Sequence, residues 1–247
     1  MFTLIEELTF LIEPQISPIC GPLFFTRSLE SAVDNVTANG SFGLVDTGQK
    51  KLLVTCHHVL EEFESRVQND PELKICVCLD KDPPVLLDLV VPIGRDKRLD
   101  LVTIDIEQLL PACGTRKFYA LNQNPAPRVK KGDQLFFIGY PGMWRSTTDE
   151  GVLFGRRSYG VNVSSVDDLR FQSDISGAKT LFEKEPESNP KAKSDWHGGI
   201  SGSPCFLVQK DWPPQLVGFT NAYSMNLLWF THIRCLNRNG TINKLPN

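Results

Sequence analysis

Along the chain, apolar and β-branched residues come in short runs separated by clusters of glycine, proline, asparagine and aspartate. Runs this short, bounded by turn-formers, predict β-strands rather than helices. A first group lies at 41–46, 51–56, 73–79, 85–91 and 99–106, with 23–26 as an extra strand. A second lies at 134–140, 152–154, 158–165, 169–172, 205–208, 216–223 and 227–230. The loop Asn122-Gln-Asn-Pro-Ala-Pro127 separates them and predicts two units, 1–121 and 122–247, each able to close a small barrel. Helix is expected only near the ends, at 4–12, stopped by Pro14, and at 231–237, capped by Thr231 and terminated by Asn239-Gly240. The stretch 183–195 has no apolar residue beyond Ala192 and reads as a solvated loop. The expected fold class is all-β: two packed antiparallel six-stranded β-barrels with short terminal helices.

Composition narrows the partners. The chain of 247 residues is 41% hydrophobic, enough for a sizeable core. Its 26 Lys and Arg against 29 Asp and Glu leave a net charge of −3 with no long basic block, which argues against nucleic acid as a main partner. The first basic residue is Arg27 and no apolar run approaches about 18 residues, so neither a secretory leader nor a membrane span is expected. Seven cysteines, an odd number, read as reduced thiols in a cytoplasmic protein. Cys56, His57, Cys76-Val-Cys78 and His232-Ile-Arg-Cys235 lack the paired knuckles of a zinc site, so no metal and no cofactor is expected.

Three segments carry candidate chemistry. His197-Gly-Gly-Ile-Ser-Gly-Ser-Pro204 sets Ser201 among glycines, a turn whose amides can converge on one point. The Gly199 and Ser201 amides are the candidate donors of an oxyanion hole. A serine nucleophile needs a base. Lys51-Leu-Leu-Val-Thr-Cys-His-His-Val-Leu60 reads as an apolar strand ending in two histidines, of which alternation lets only one, His57 or His58, face a shared cleft. A base needs an acid to fix its tautomer, and Asp100 stands at the mouth of the apolar strand Leu-Val-Thr-Ile. Asp96, in a charged turn, and Asp105, where the strand leaves, suit solvated roles better.

Val54-Thr-Cys-His-His-Val59, Asp100-Leu-Val-Thr-Ile104 and Gly199-Ile-Ser-Gly-Ser-Pro204, in that order, resemble the His, Asp and Ser motifs of trypsin-like (chymotrypsin-fold) serine peptidases, most closely the bacterial HtrA-like and stand-alone trypsin-like peptidase domains. The resemblance implies a chymotrypsin-like pair of barrels and selects His58 over His57. It spans roughly Phe42 to Ile233; Val129 to Gly142 and Leu216-Val-Gly-Phe219 resemble strands of the second barrel. It implies a serine endopeptidase with catalytic His58, Asp100 and Ser201, an oxyanion hole at Gly199 and Ser201, and a protein or peptide substrate. A regulatory protein is a further candidate partner.

The chain departs from the family where secreted members keep an Asp before the nucleophile to pair with a freed N-terminus: here stands Ile200. Something else must hold or gate the turn. Asp195, six residues before Ser201, occupies the place of the acid that selects Arg or Lys substrates, while Tyr223 stands where glycine usually keeps the pocket open. Asp195 also reads simply as the end of the polar loop. Two rival functions remain: a catalytically silent binding module on a protease fold, and an α/β-hydrolase esterase, disfavoured because residue 203 is Ser rather than Gly and alternating βα units are missing.

Overall fold

The computed structural model describes residues 11–28, 36, 38–79, 84–87, 91–121, 127–142, 145–148, 151–175, 198–210, 212–224 and 226–243. Its strands form two largely antiparallel systems. In the first, β1 (Cys20–Thr26), β2 (Ala38–Asp46), β3 (Lys51–Thr55), β4 (Lys74–Val77), β5 (Val85–Leu86), β6 (Pro92–Asp96) and β7 (Leu101–Asp105) pair in the order β5-β4-β1-β2-β3-β7-β6. The short β8 (Tyr119–Ala120) adds a parallel pairing to β2.

The second system contains β9 (Gln134–Gly139), followed by a separate hairpin of β10 (Arg145–Thr148) and β11 (Gly151–Phe154). With β9, the strands β12 (Arg157–Val166), β13 (Arg170–Asp174), β14 (Pro204–Val208), β15 (Gln215–Ser224) and β16 (Leu227–His232) close a barrel in the order β12-β13-β16-β15-β14-β9. The all-β, chymotrypsin-like class therefore holds, with one closed six-stranded barrel and, among the described residues, an open eight-stranded half-barrel in place of the expected first barrel of six. The unexpected β6, β8 and β10 carry the weak signals of Pro and Gly, of two-residue length and of polar composition.

Period-2 alternation explains why the strands read as nearly continuous apolar runs: both faces are buried. In β9, Leu135 and Phe137 point into the closed barrel, whereas Phe136 and Ile138 join a second core with Leu52, Val54 and Leu101 of the first half. Leu53 and Val102 face the interior of their own half-barrel with Phe25, Phe42 and Leu44. The middle core fuses the two halves, and burial of each such side chain contributes about 1.5–3 kcal/mol. Residues 11–16 are helical, and Ile12, Ile16 and Ile19 seal this interface.

Three helix expectations need correcting. Residues 11–16 run through Pro14 instead of stopping there, because Ile12 and Ile16, one turn apart, are both buried; residues 4–10 lie outside the described set. The expected helix at 231–237 is the end of β16 followed by a 3-10 turn, Ile233–Cys235, since Thr231 bonds across to Leu99 rather than capping a helix. Finally, α1 (His57–Val67) starts where a strand was expected to end, so the two histidines lie on the first turn of a helix and not on opposite faces of a strand. The expected loop 183–195 falls outside the described residues. Among the described residues no helix is long and apolar enough to cross a membrane.

Candidate active site

Helix α1 lacks a cap of its own: Cys56 precedes it in extended conformation and offers no side-chain hydrogen bond to the first turn. The unpaired amides at a helix start need acceptors. Asp100 supplies one from another element, its Oδ1 accepting the His58 amide at 2.9 Å. Its Oδ2 lies 2.7 Å from His58 Nδ1, so one carboxylate fixes both the backbone and the ring of His58. Asp100 takes a left-handed φ of 52°, sparsely populated for a non-glycine residue. The turn before it supports this geometry: Asp96 Oδ1 accepts the Arg98 and Leu99 amides, and the Leu99 carbonyl accepts the Thr231 hydroxyl at 2.6 Å and Asn221 Nδ2 at 3.4 Å. The acid-bearing turn is thereby pinned to β15 and β16 of the barrel.

Electrostatics separate the two histidines. Desolvation works against a charged His58, but the hydrogen bond and charge of Asp100, aided by Glu62 and Glu61, outweigh it and hold its pKa above the ordinary value. Desolvation, with Arg95 nearby, lowers that of the buried His57, whose ring lies 3.9 Å from Glu61. The structure thus pairs His58, and not His57, with Asp100. Asp105 pairs with Lys50 Nζ at 2.6 Å and accepts the Glu107 amide, a surface role.

Ser201 sits in a turn pinned peptide by peptide. The Gly198 carbonyl accepts from the Gly142 amide at 2.8 Å, the Gly199 carbonyl from Ser41 Oγ at 2.7 Å, and the Ile200 carbonyl from the Ser203 amide at 3.0 Å. The Ser201 carbonyl accepts from the Ser41 amide at 2.8 Å. Gly199 and Gly202 take φ of 97° and 92°, a region open to glycine, and a Cβ on Gly202 would sit 2.6 Å from Thr55 Oγ1. Ile200, the departure from the family pattern, is buried in the barrel core. Among the described residues the Gly199 and Ser201 amides donate to no protein acceptor.

The turn and His58 share a common support. The Thr220 carbonyl accepts the Gly202 amide at 2.7 Å and the Cys56 thiol at 3.1 Å, tying the residue after Ser201 to the residue before α1. No hydrogen bond joins the Ser201 hydroxyl to His58 among the described residues; such bonds are often long in a resting site. The Cys56, His58 and Asp100 donor atoms lie within 4.8 Å of one another. Desolvation, then the Asp100 charge, push the Cys56 thiol well up, so it stays protonated, a poor metal ligand and a hydrogen-bond donor. Asp195 and His197 lie outside the described residues, as does the side chain of Tyr223.

Sequence reasoning passed over Ser41 and Asn39. The available signal was glycine inside a strand, Asn39-Gly-Ser-Phe-Gly43, which marks close backbone approach. A Cβ on Gly40 would lie 3.4 Å from the Ser201 carbonyl, and one on Gly43 would lie 2.9 Å from Phe219.

No family model matches the chain, and no curated protein matches it. Among solved structures it is similar to the Rv3671c protease from M. tuberculosis in its active form, with a TM-score of 0.52 and 11% identity over 90% of this chain and 79% of that one. The likeness is one of fold.

Proposed function

We propose that the chain is a serine endopeptidase. The observation that carries this reading is the double hold of Asp100 on His58, which fixes the imidazole through its amide and Nδ1 and leaves Nε2 as the ring nitrogen that Asp100 does not engage. In the proposed mechanism Ser201 Oγ attacks the scissile carbonyl while His58 Nε2 takes its proton, giving a tetrahedral oxyanion held by the Gly199 and Ser201 amides. Collapse expels the amine, which receives that proton from His58, and leaves an acyl-serine. Water then attacks the acyl carbon while His58 takes its proton, and collapse of the second oxyanion breaks the ester bond to Ser201 Oγ, which receives that proton from His58 as the carboxylic acid leaves. Asp100 orients the ring and stabilises the imidazolium throughout. The similarity to a protease fold supports this reading. The HtrA-like affinity rests on the motifs alone. A cytoplasmic setting fits the free thiols Cys20, Cys56, Cys113, Cys205 and Cys235.

The test is a proteome-derived peptide library incubated with native protein and with Ser201→Ala. Cleavage by the first and none by the second is the expected result; cleavage that survives Ser201→Ala overturns it. The same profile reads specificity: an Asp195 pocket would favour Arg or Lys before the scissile bond, and a Tyr223 that closes the pocket would abolish that preference. A second reading, a silent protease-fold binding module, is favoured by the missing hydrogen bond between Ser201 and His58. It predicts no cleavage at all. The α/β-hydrolase alternative is removed by the all-β architecture.

A further inference from the structure

Secreted relatives of the resembled family order the oxyanion turn through an ion pair to the residue before the nucleophile, which Ile200 cannot make. The substitute must come from residues that touch the turn, and one does so with both of its hydrogen-bond donors. Ser41, fully buried in β2, donates its amide to the Ser201 carbonyl at 2.8 Å and its hydroxyl to the Gly199 carbonyl at 2.7 Å. The same hydroxyl accepts the Tyr140 amide at 3.2 Å, and the Ser41 carbonyl accepts Thr55 Oγ1 at 2.8 Å.

We propose that Ser41 is the positioning residue of the Gly199–Ser201 oxyanion turn, its hydroxyl relaying the Tyr140 amide to the Gly199 carbonyl. In a planar trans peptide the N–H and C=O point in opposite directions. The Ser41 hydroxyl therefore fixes the one peptide that lies between the two candidate oxyanion amides, while its backbone amide fixes the peptide that follows Ser201. Gly199, at φ 97°, has no side chain to resist a flip of that peptide, so the restraint has to come from outside the turn. Asn39 Nδ2 adds to the clamp by donating to the Tyr140 carbonyl at 2.6 Å. The catalytic meaning of this role rests on the peptidase reading; the structural role does not.

Two measurements on the full chain separate these layers. In amide hydrogen exchange, Ser41→Ala should speed exchange at Gly142, Gly202 and Ser203 about tenfold and leave the β12–β13 ladder unchanged. Faster exchange at Tyr140 alone, the direct consequence of the lost acceptor, would overturn the proposal. In peptide hydrolysis, kcat of Ser41→Ala should fall about 10²-fold with KM nearly constant, and binding of a peptide aldehyde, whose adduct places an oxygen in the oxyanion hole, should weaken by the same factor. Unchanged kcat and aldehyde affinity in the face of faster exchange would also overturn it. Ser41→Cys keeps a weaker donor and should recover part of both signals, which covers the case of a poorly folded alanine variant. A wild-type protein that hydrolyses nothing, with the exchange pattern intact, would count against the peptidase reading and leave the positioning role standing.

Discussion

Asp100 holds His58 at two points, Oδ1 on the backbone amide at 2.9 Å and Oδ2 on ring Nδ1 at 2.7 Å, so the carboxylate that orients the imidazole also caps the helix that carries it. On the proposed peptidase reading the tie couples stability and activity in one residue. Asp100→Asn keeps an oxygen for the cap but presents an amide to the ring and favours the wrong tautomer. Turnover should drop about 10⁴-fold while the unfolding midpoint changes little. Asp96→Asn, which retains the turn-capping oxygen, should lose little activity. Comparable losses in steady-state kinetics of both variants would show that the acid is misplaced.

The ring must be neutral to act as a base, and Asp100 holds the His58 pKa above the ordinary 6.5. The acid limb of kcat/KM should therefore lie above pH 6.5. Removing the carboxylate in Asp100→Asn should move the limb down in the residual activity. A limb below 6.5 in the native protein would contradict the assignment.

His232 titrates in the opposite sense. Burial, with Arg234 nearby, lowers its pKa from 6.5 to about 4, while the Asp167 carbonyl and the Asp167 and Asp168 charges work weakly against the shift. Because the folded-state value is the lower one, stability should be full above pH 6.5 and fall as pH drops towards 4, by up to about 3 kcal/mol. His58 opposes this only partly, since its side chain is 45% exposed. His232→Phe, which keeps the ring against Phe171, should flatten denaturant midpoints between pH 6.5 and 4; an unchanged slope would sink the claim.

Gly202 joins the Ser201 turn to the first half. An alanine there would need a left-handed φ of 92° and would drive its Cβ into the Ser41 carbonyl and Thr55 Oγ1. Gly202→Ala should cost about 3 kcal/mol or more. A thermal melt within about 2 °C of native would show that the contact is slack.

Most of the strands were legible because their signal is local: apolar runs such as 51–56 and 134–140 nearly match β3 and β9. Helix α1 was not, because its cap comes from Asp100, a residue 42 positions away, and no local pattern announces it. The run ending at Cys56 reads on into the helix with Cys, and not Ser, Thr, Asp or Asn, at the N-cap position. The open half-barrel was hidden for the same reason, since the parallel β2–β8 pairing and two-residue β5 arise from long-range docking. At the site, residue types point to Ser201, Asp100 and one of two adjacent histidines, and the family resemblance selects His58. The clamp built by Ser41, Tyr140 and Gly142 is made largely of backbone groups, which have no sequence signature.

The peptidase reading stands on Ser201 as an activated nucleophile with His58 as its base. The most direct measurement is fluorophosphonate labelling of folded native protein, with the adduct located by peptide mass spectrometry. A single adduct on Ser201 should form in the native protein, far more slowly in His58→Ala, only slightly more slowly in His57→Ala, and not at all in Ser201→Ala. A folded protein that carries no adduct on Ser201, or one whose labelling depends on His57 rather than His58, would contradict it.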